Sequence, residues 1–126
     1  MVVGFTVFQA DQLEFADRGD GSNRSVAGLS DAMTQMRANV WRYGPGARGR
    51  RHADRIQEET FVVLEGTPSM LLGDPPERFQ LAPGSVVVVQ PGTGLQIRNE
   101  SDEEAILFIV GAPPERGGSD TLPDVD

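Results

Sequence analysis

The residue types best suited to chemistry meet in one stretch, GARGRRHADRIQEETFVVLEG, residues 46–66. It opens and closes on glycine and holds the only histidine, His52. Acidic residues, Asp54 and Glu59 among them, follow that histidine, and an apolar run follows them. An imidazole with carboxylates after it looks like half of a metal site. The same residue types could also move protons. Arg48, Arg50 and Arg51 come just before. Guanidinium groups there read as a solvated loop or as a rim that holds a carboxylate or phosphate.

The rest of the composition narrows the chemistry. There is no cysteine, which removes disulfides, thiolate metal sites and thiol nucleophiles. All eleven basic residues are arginine, so a Schiff-base lysine is excluded. The formal net charge of −8 disfavours nucleic acid and anionic membranes as partners. The longest apolar runs, SVVVV and AILFIV, are too short to cross a bilayer as a helix. The first residues lack the basic region and small-residue cleavage site of a signal peptide, so the expected compartment is the cytoplasm.

Short strands must position these residues. β-like runs are expected near 34–43, 59–65, 68–72, 77–81, 85–90, 95–99 and 105–111. Turn signals such as YGPG, LAPG and QPGTG separate them. Many short strands at near-regular spacing imply an all-β sandwich or barrel. The only helix-compatible stretch lies around 29–37. Phe61–Leu64, Val86–Val89 and Ile106–Val110 are apolar at every position rather than alternating. Both faces of those strands then need cover, from a second sheet, from the N-terminal segment or from a second copy, and a homodimer is expected.

Two stretches resemble the paired motifs of the cupins, which are jelly-roll, double-stranded β-helix barrels. The first cupin motif runs G-x5-H-x-H-x4-E-x6-G. Gly46, His52, Glu59 and Gly66 match it, and Asp54 stands where the second histidine belongs. The second runs G-x5-P-x-G-x2-H-x3-N. Gly84, Gly92 and Asn99 match it, Gln90 replaces the proline, and Leu95 replaces the histidine. The resemblance implies an all-β cupin barrel over residues 1–112, with motif one at 46–66 and motif two at 84–99. Residues 113–126, acidic and rich in proline and glycine, read as a mobile tail.

The resemblance also implies a metal held by three histidines and a glutamate. Here one imidazole becomes a carboxylate and the last ligand becomes a leucine without a lone pair. His52, Asp54 and Glu59 remain as a reduced set for one divalent ion such as Mn, Zn, Fe or Ni. With the set reduced, the reading taken is that no metal is required. The H-A-D triplet is also similar to the H-x-D of oxoglutarate dioxygenases, which need a second histidine that this chain lacks. Plainer roles stand beside these: a hydrogen-bonded His52 at a rim, and an Asp54–Arg55 loop ion pair.

Strand parity places Phe61 with Glu59, and Leu95 with Ile97, on inward faces. Trp41 and Tyr43 alternate with Asn39 and read first as packing. The expected ligand pocket is therefore His52, Asp54, Glu59, Phe61, Leu95 and Ile97, with Arg48 and Arg50 at its rim. The expected function is a small-molecule-binding barrel with an impaired metal site and no assigned catalytic residue. The alternative is a metal-dependent dioxygenase, isomerase or decarboxylase using His52, Asp54 and Glu59.

Overall fold

The apolar runs and their turns fold into two antiparallel sheets. The computed structural model describes residues 4–115 and 117–125. Eleven strands occur among them: β1 (Ala16–Asp17), β2 (Arg24–Gly28), β3 (Arg37–Tyr43), β4 (His52–Ala53), β5 (Glu58–Glu65), β6 (Ser69–Leu72), β7 (Glu77–Gln80), β8 (Val86–Val89), β9 (Leu95–Arg98), β10 (Ala105–Ala112) and β11 (Asp120–Thr121). The first sheet runs β1-β2-β3-β10-β5-β8, and the second runs β11-β4-β9-β6-β7. No helix among the described residues is long and apolar enough to cross a membrane.

The seven runs expected from sequence correspond to β3 and β5–β10. The short or polar strands β1, β2, β4 and β11 carry too little apolar patterning to announce themselves. The helix-compatible stretch is a single 3₁₀ turn at Ser30–Ala32 that leads into β3.

The main core lies between the sheets, with Phe61, Val63, Met70, Leu95 and Leu107 almost fully buried. This explains one face of each doubly apolar strand. On the outer face of the first sheet, Ala27, Leu29, Ala38 and Val40 form a second cluster, against which Leu13, Phe15 and Met33 pack. The N-terminal segment therefore covers the β2–β3 half of that face. On the β8 side, Leu64, Val86 and Val88 stay about half exposed.

Two turns need glycine. Gly66 has φ +76°, and a Cβ there would lie 2.5 Å from the Glu104 carbonyl oxygen. Gly92 has φ +81°, and its N–H donates to the Asp54 carbonyl at 2.7 Å, which ties the β8–β9 turn to the site.

Composition reads the segment after Pro113 as a mobile tail, yet its described residues lie along the second sheet. β11 pairs with β4, with Thr121 opposite His52. Arg51 donates to the Pro123 carbonyl at 3.0 Å, Gln96 donates to Asp124 at 2.9 Å, and Arg98 donates to the Val125 carbonyl. Arg51 and Arg98 are buried, and the segment supplies the acceptors that buried guanidinium groups need.

Candidate ligand and metal site in the barrel

His52 enters the site from β4, where its Cα is paired with Leu95 of β9. Its Nδ1 lies 3.0 Å from the Arg50 carbonyl oxygen. A carbonyl only accepts, so Nδ1 carries the proton and Nε2 faces inward. There Nε2 lies 3.9 Å from Asp54 Oδ1 and 3.9 Å from Glu59 Oε1. Asp54 sits just past β4, in the turn leading to β5. Glu59 is the second residue of β5, and Phe61 follows it on the same face.

The three groups bias one another. Burial disfavours a charge on His52, but Glu59, the Arg50 carbonyl and Asp54 outweigh it and raise its pKa above the usual imidazole value. Burial, then the neighbouring Glu59, pushes Asp54 up to about 8. Burial would also raise Glu59, yet His52 and Asp54 hold it below the usual carboxylate value. At neutral pH the cluster therefore presents a protonated Asp54 beside an ionised Glu59 and an imidazole able to carry charge.

These residues line one part of a cavity of about 490 Å³. Phe61, Leu95, Ile97 and Arg50, expected at the pocket, also line it. Arg48, expected at the rim, is not among the lining residues. Its Nη2 pairs instead with Asp124 at 2.7 Å. Arg55 pairs with Asp120 at 2.6 Å rather than with Asp54. Trp41 and Tyr43, read first as packing, do pack, with ring centroids 5.9 Å apart, and they line the cavity as well.

Sequence reasoning missed another part of the lining. Arg18, Asp20 and Arg24 come from the β1–β2 hairpin, whose sequence around DRGDGSN carries only the signal of a polar loop. It also missed Glu115. Burial disfavours a charge on that carboxylate, but the N–H groups of Ile56 and Arg55, which it accepts at 2.5 and 2.7 Å, hold its pKa down. Glu115 thereby fixes the turn that carries Asp54.

A divalent ion has a partial fit here. One donor atom from each of His52, Asp54 and Glu59 lies within 4.8 Å of the others. The buried Glu59 Oε1 has no hydrogen-bond partner among the described residues. The Nδ1–carbonyl bond leaves Nε2 as the free ring nitrogen, as in many metal-bound histidines. Against this, Leu95 is 1% exposed and fills the place of a fourth protein ligand with hydrocarbon.

The family described as "Cupin domain" matches residues 39–111, more than half of the chain. The protein is a cupin. Among curated proteins no significant match is found. Solved structures agree on the fold. This cupin is similar to a sugar phosphate isomerase from Silicibacter pomeroyi, with 26% identity over 85% of this chain and 75% of the other and a TM-score of 0.73. It is similar to KdgF from Halomonas sp., with 15% identity over 90% of this chain and 97% of the other and a TM-score of 0.77. It is also similar to the polyketide cyclase RemF from Streptomyces resistomycificus, with 15% identity over 97% and 88% and a TM-score of 0.81.

Proposed function

We propose that this cupin binds a small organic molecule bearing hydroxyl or carbonyl groups inside its barrel, and that it does so without a tightly held metal. The observation that carries this reading is the convergence of His52, Asp54 and Glu59 in the wall of a 490 Å³ cavity whose fourth ligand position is Leu95. Protonated Asp54 can donate to a ligand oxygen, and the unpartnered Glu59 Oε1 can accept from a hydroxyl. Phe61, Leu95 and Ile97 give the carbon skeleton an apolar wall. An acid and a base side by side could also move a proton between neighbouring atoms of the ligand, as isomerase or lyase chemistry requires.

The test is a thermal-shift screen of small hydroxy and oxo compounds against the wild type, Glu59→Gln and Asp54→Asn. A compound that stabilises the wild type but neither variant is expected. A screen without hits, or hits that stabilise all three proteins equally, would overturn the reading.

The proximity of the three donor atoms favours a second reading, a metal-dependent enzyme. His52, Asp54 and Glu59 would hold the ion, which would polarise a substrate oxygen when bound. We also infer that two copies pair through the bare β8 side of the first sheet. The half-exposed Leu64, Val86 and Val88 support this inference.

A further inference from the structure

Four arginines line the cavity, and they are not equivalent. Arg50 donates to Thr121 Oγ1 at 2.6 Å and to Ser119 Oγ at 2.5 Å. Arg37 donates to the Glu115 carbonyl at 2.8 Å. Both guanidinium groups are thereby tied to the C-terminal segment. Arg18 and Arg24 instead line the cavity from the β1–β2 hairpin, Arg18 exposed and the Arg24 side chain 12% exposed.

The hairpin register sets these two cations together. Ala16 pairs with Val26 and Asp17 with Ser25. The ladder continues with the Arg18 N–H donating to the Arg24 carbonyl at 3.0 Å. Arg18 and Arg24 are therefore directly opposed, and their side chains share one face of the hairpin. That face meets β3, where Arg24 pairs with Tyr43 and Val26 with Trp41. Both guanidinium groups lie over the Trp41 ring, Arg18 at 5.7 Å and Arg24 at 5.2 Å from its centroid.

Like charges directly opposed across a ladder repel. The indole offsets part of that cost through cation–π attraction. Asp20 offsets another part, lying 3.4 Å from Arg24 Nη2. Its Oδ1 already accepts from the Ser22 N–H and hydroxyl, at 3.0 and 2.5 Å. Arg24 spends further donors on Ser22 Oγ and the Tyr43 hydroxyl, at 2.9 and 3.4 Å. The Arg18 guanidinium makes no hydrogen bond or ion pair with the described residues. It leaves a planar set of donors unspent in the cavity lining, beside a second cation.

We propose that Arg18 and Arg24 form an anion site over Trp41, and that the ligand of the barrel carries a carboxylate or a phosphate at that end. This rests on the pocket function proposed above. The ligand is then two-ended: an oxyanion takes the guanidinium donors at the hairpin, and a hydroxyl or carbonyl reaches His52, Asp54 and Glu59 in the same cavity. A fork of N–H donors suits both carboxylate and phosphate oxygens.

Trp41 is the only tryptophan, so its fluorescence reports directly on this site. The experiment titrates the protein with inorganic phosphate, glycerol 3-phosphate, glycerate and glycerol, at ionic strength held constant with sodium chloride. A saturable change in emission is expected with glycerate, with the phosphates or with both, and none with glycerol. The split between glycerate and the phosphates tells which oxyanion is preferred. Arg18→Gln should weaken that response at least about tenfold without lowering the melting temperature by more than a few degrees, since the side chain makes no hydrogen bond or ion pair with the described residues and its removal relieves the repulsion with Arg24.

An equal response in Arg18→Gln would overturn the proposal, and so would no response to any anion. The two readings fail separately. A screen hit that needs Glu59 but not Arg18 keeps the pocket function and removes the anion site. A glycerate or glycerol 3-phosphate response that needs Arg18 but is the same in Glu59→Gln keeps the anion site and removes the two-ended ligand, whereas the response to inorganic phosphate should not depend on Glu59.

Discussion

His52 and Leu95 face each other as direct partners across the β4–β9 ladder. Where the cupin motif places a metal-binding histidine, this chain holds a fully buried isobutyl group against the one imidazole it has. Leu95→His would return a nitrogen donor to within reach of His52, Asp54 and Glu59. It is expected to tighten binding of Zn or Ni by at least about tenfold, read by calorimetric titration. Unchanged affinity would show that the β9 position does not reach the cluster.

The electrostatics of the cluster set a pH dependence of stability. Asp54 is raised from 3.8 to about 8, so between those values the folded protein holds a proton that the unfolded chain has released. Stability therefore falls as pH rises through that window. His52, also raised, adds a loss of the same sign above the ordinary imidazole value. Carboxylates held low, such as Glu59 and the exposed Asp20, act the other way in acid. The melting temperature of the metal-free protein should be highest near about pH 5 and fall toward about pH 9. Asp54→Asn should flatten the fall. A rise toward pH 9 would contradict the assignment.

Asn99 is fully buried, and its amide nitrogen donates to the Tyr43 and Glu103 carbonyls at 2.8 and 2.7 Å. Its side-chain oxygen accepts from the Ser101 N–H at 3.1 Å. Asn99→Ala would leave these groups without partners and should cost about 3 kcal/mol, measured by urea unfolding. A loss below about 0.5 kcal/mol would show that water replaces the amide without difficulty.

The proposed pairing through the β8 side has its own test. The protein should elute with light-scattering mass near twice the monomer value, and Val88→Glu should shift it to monomer. Val88 is 57% exposed, so the change should leave the protomer folded. A monomeric wild type would leave Leu64, Val86 and Val88 as solvent-facing apolar residues and end the proposal.

The barrel was legible in the sequence because its long strands are apolar and its turns carry glycine and proline. Phe61 and Val63, inward by parity with Glu59, are buried as that parity requires. The inner cluster was legible because His52, Asp54 and Glu59 lie in one motif. The hairpin side of the cavity was not. Arg18 and Arg24 are brought together by β1, a two-residue strand with no apolar pattern. Glu115 was hidden in a segment whose composition reads as mobile, while its contacts to Arg55 and Ile56 span a long sequence separation. Such pairings follow from tertiary register, which local patterning does not encode.

The central claim is a working pocket that has lost its hold on metal. Elemental analysis of untagged protein, purified without chelators or a nickel column, tests it most directly. Metal well below one equivalent is expected, with the folded protein still binding the hits from the screen in excess EDTA. Near-stoichiometric Mn, Fe, Ni or Zn that disappears in His52→Ala and in Glu59→Ala would contradict it and establish the reduced ligand set as a metal centre.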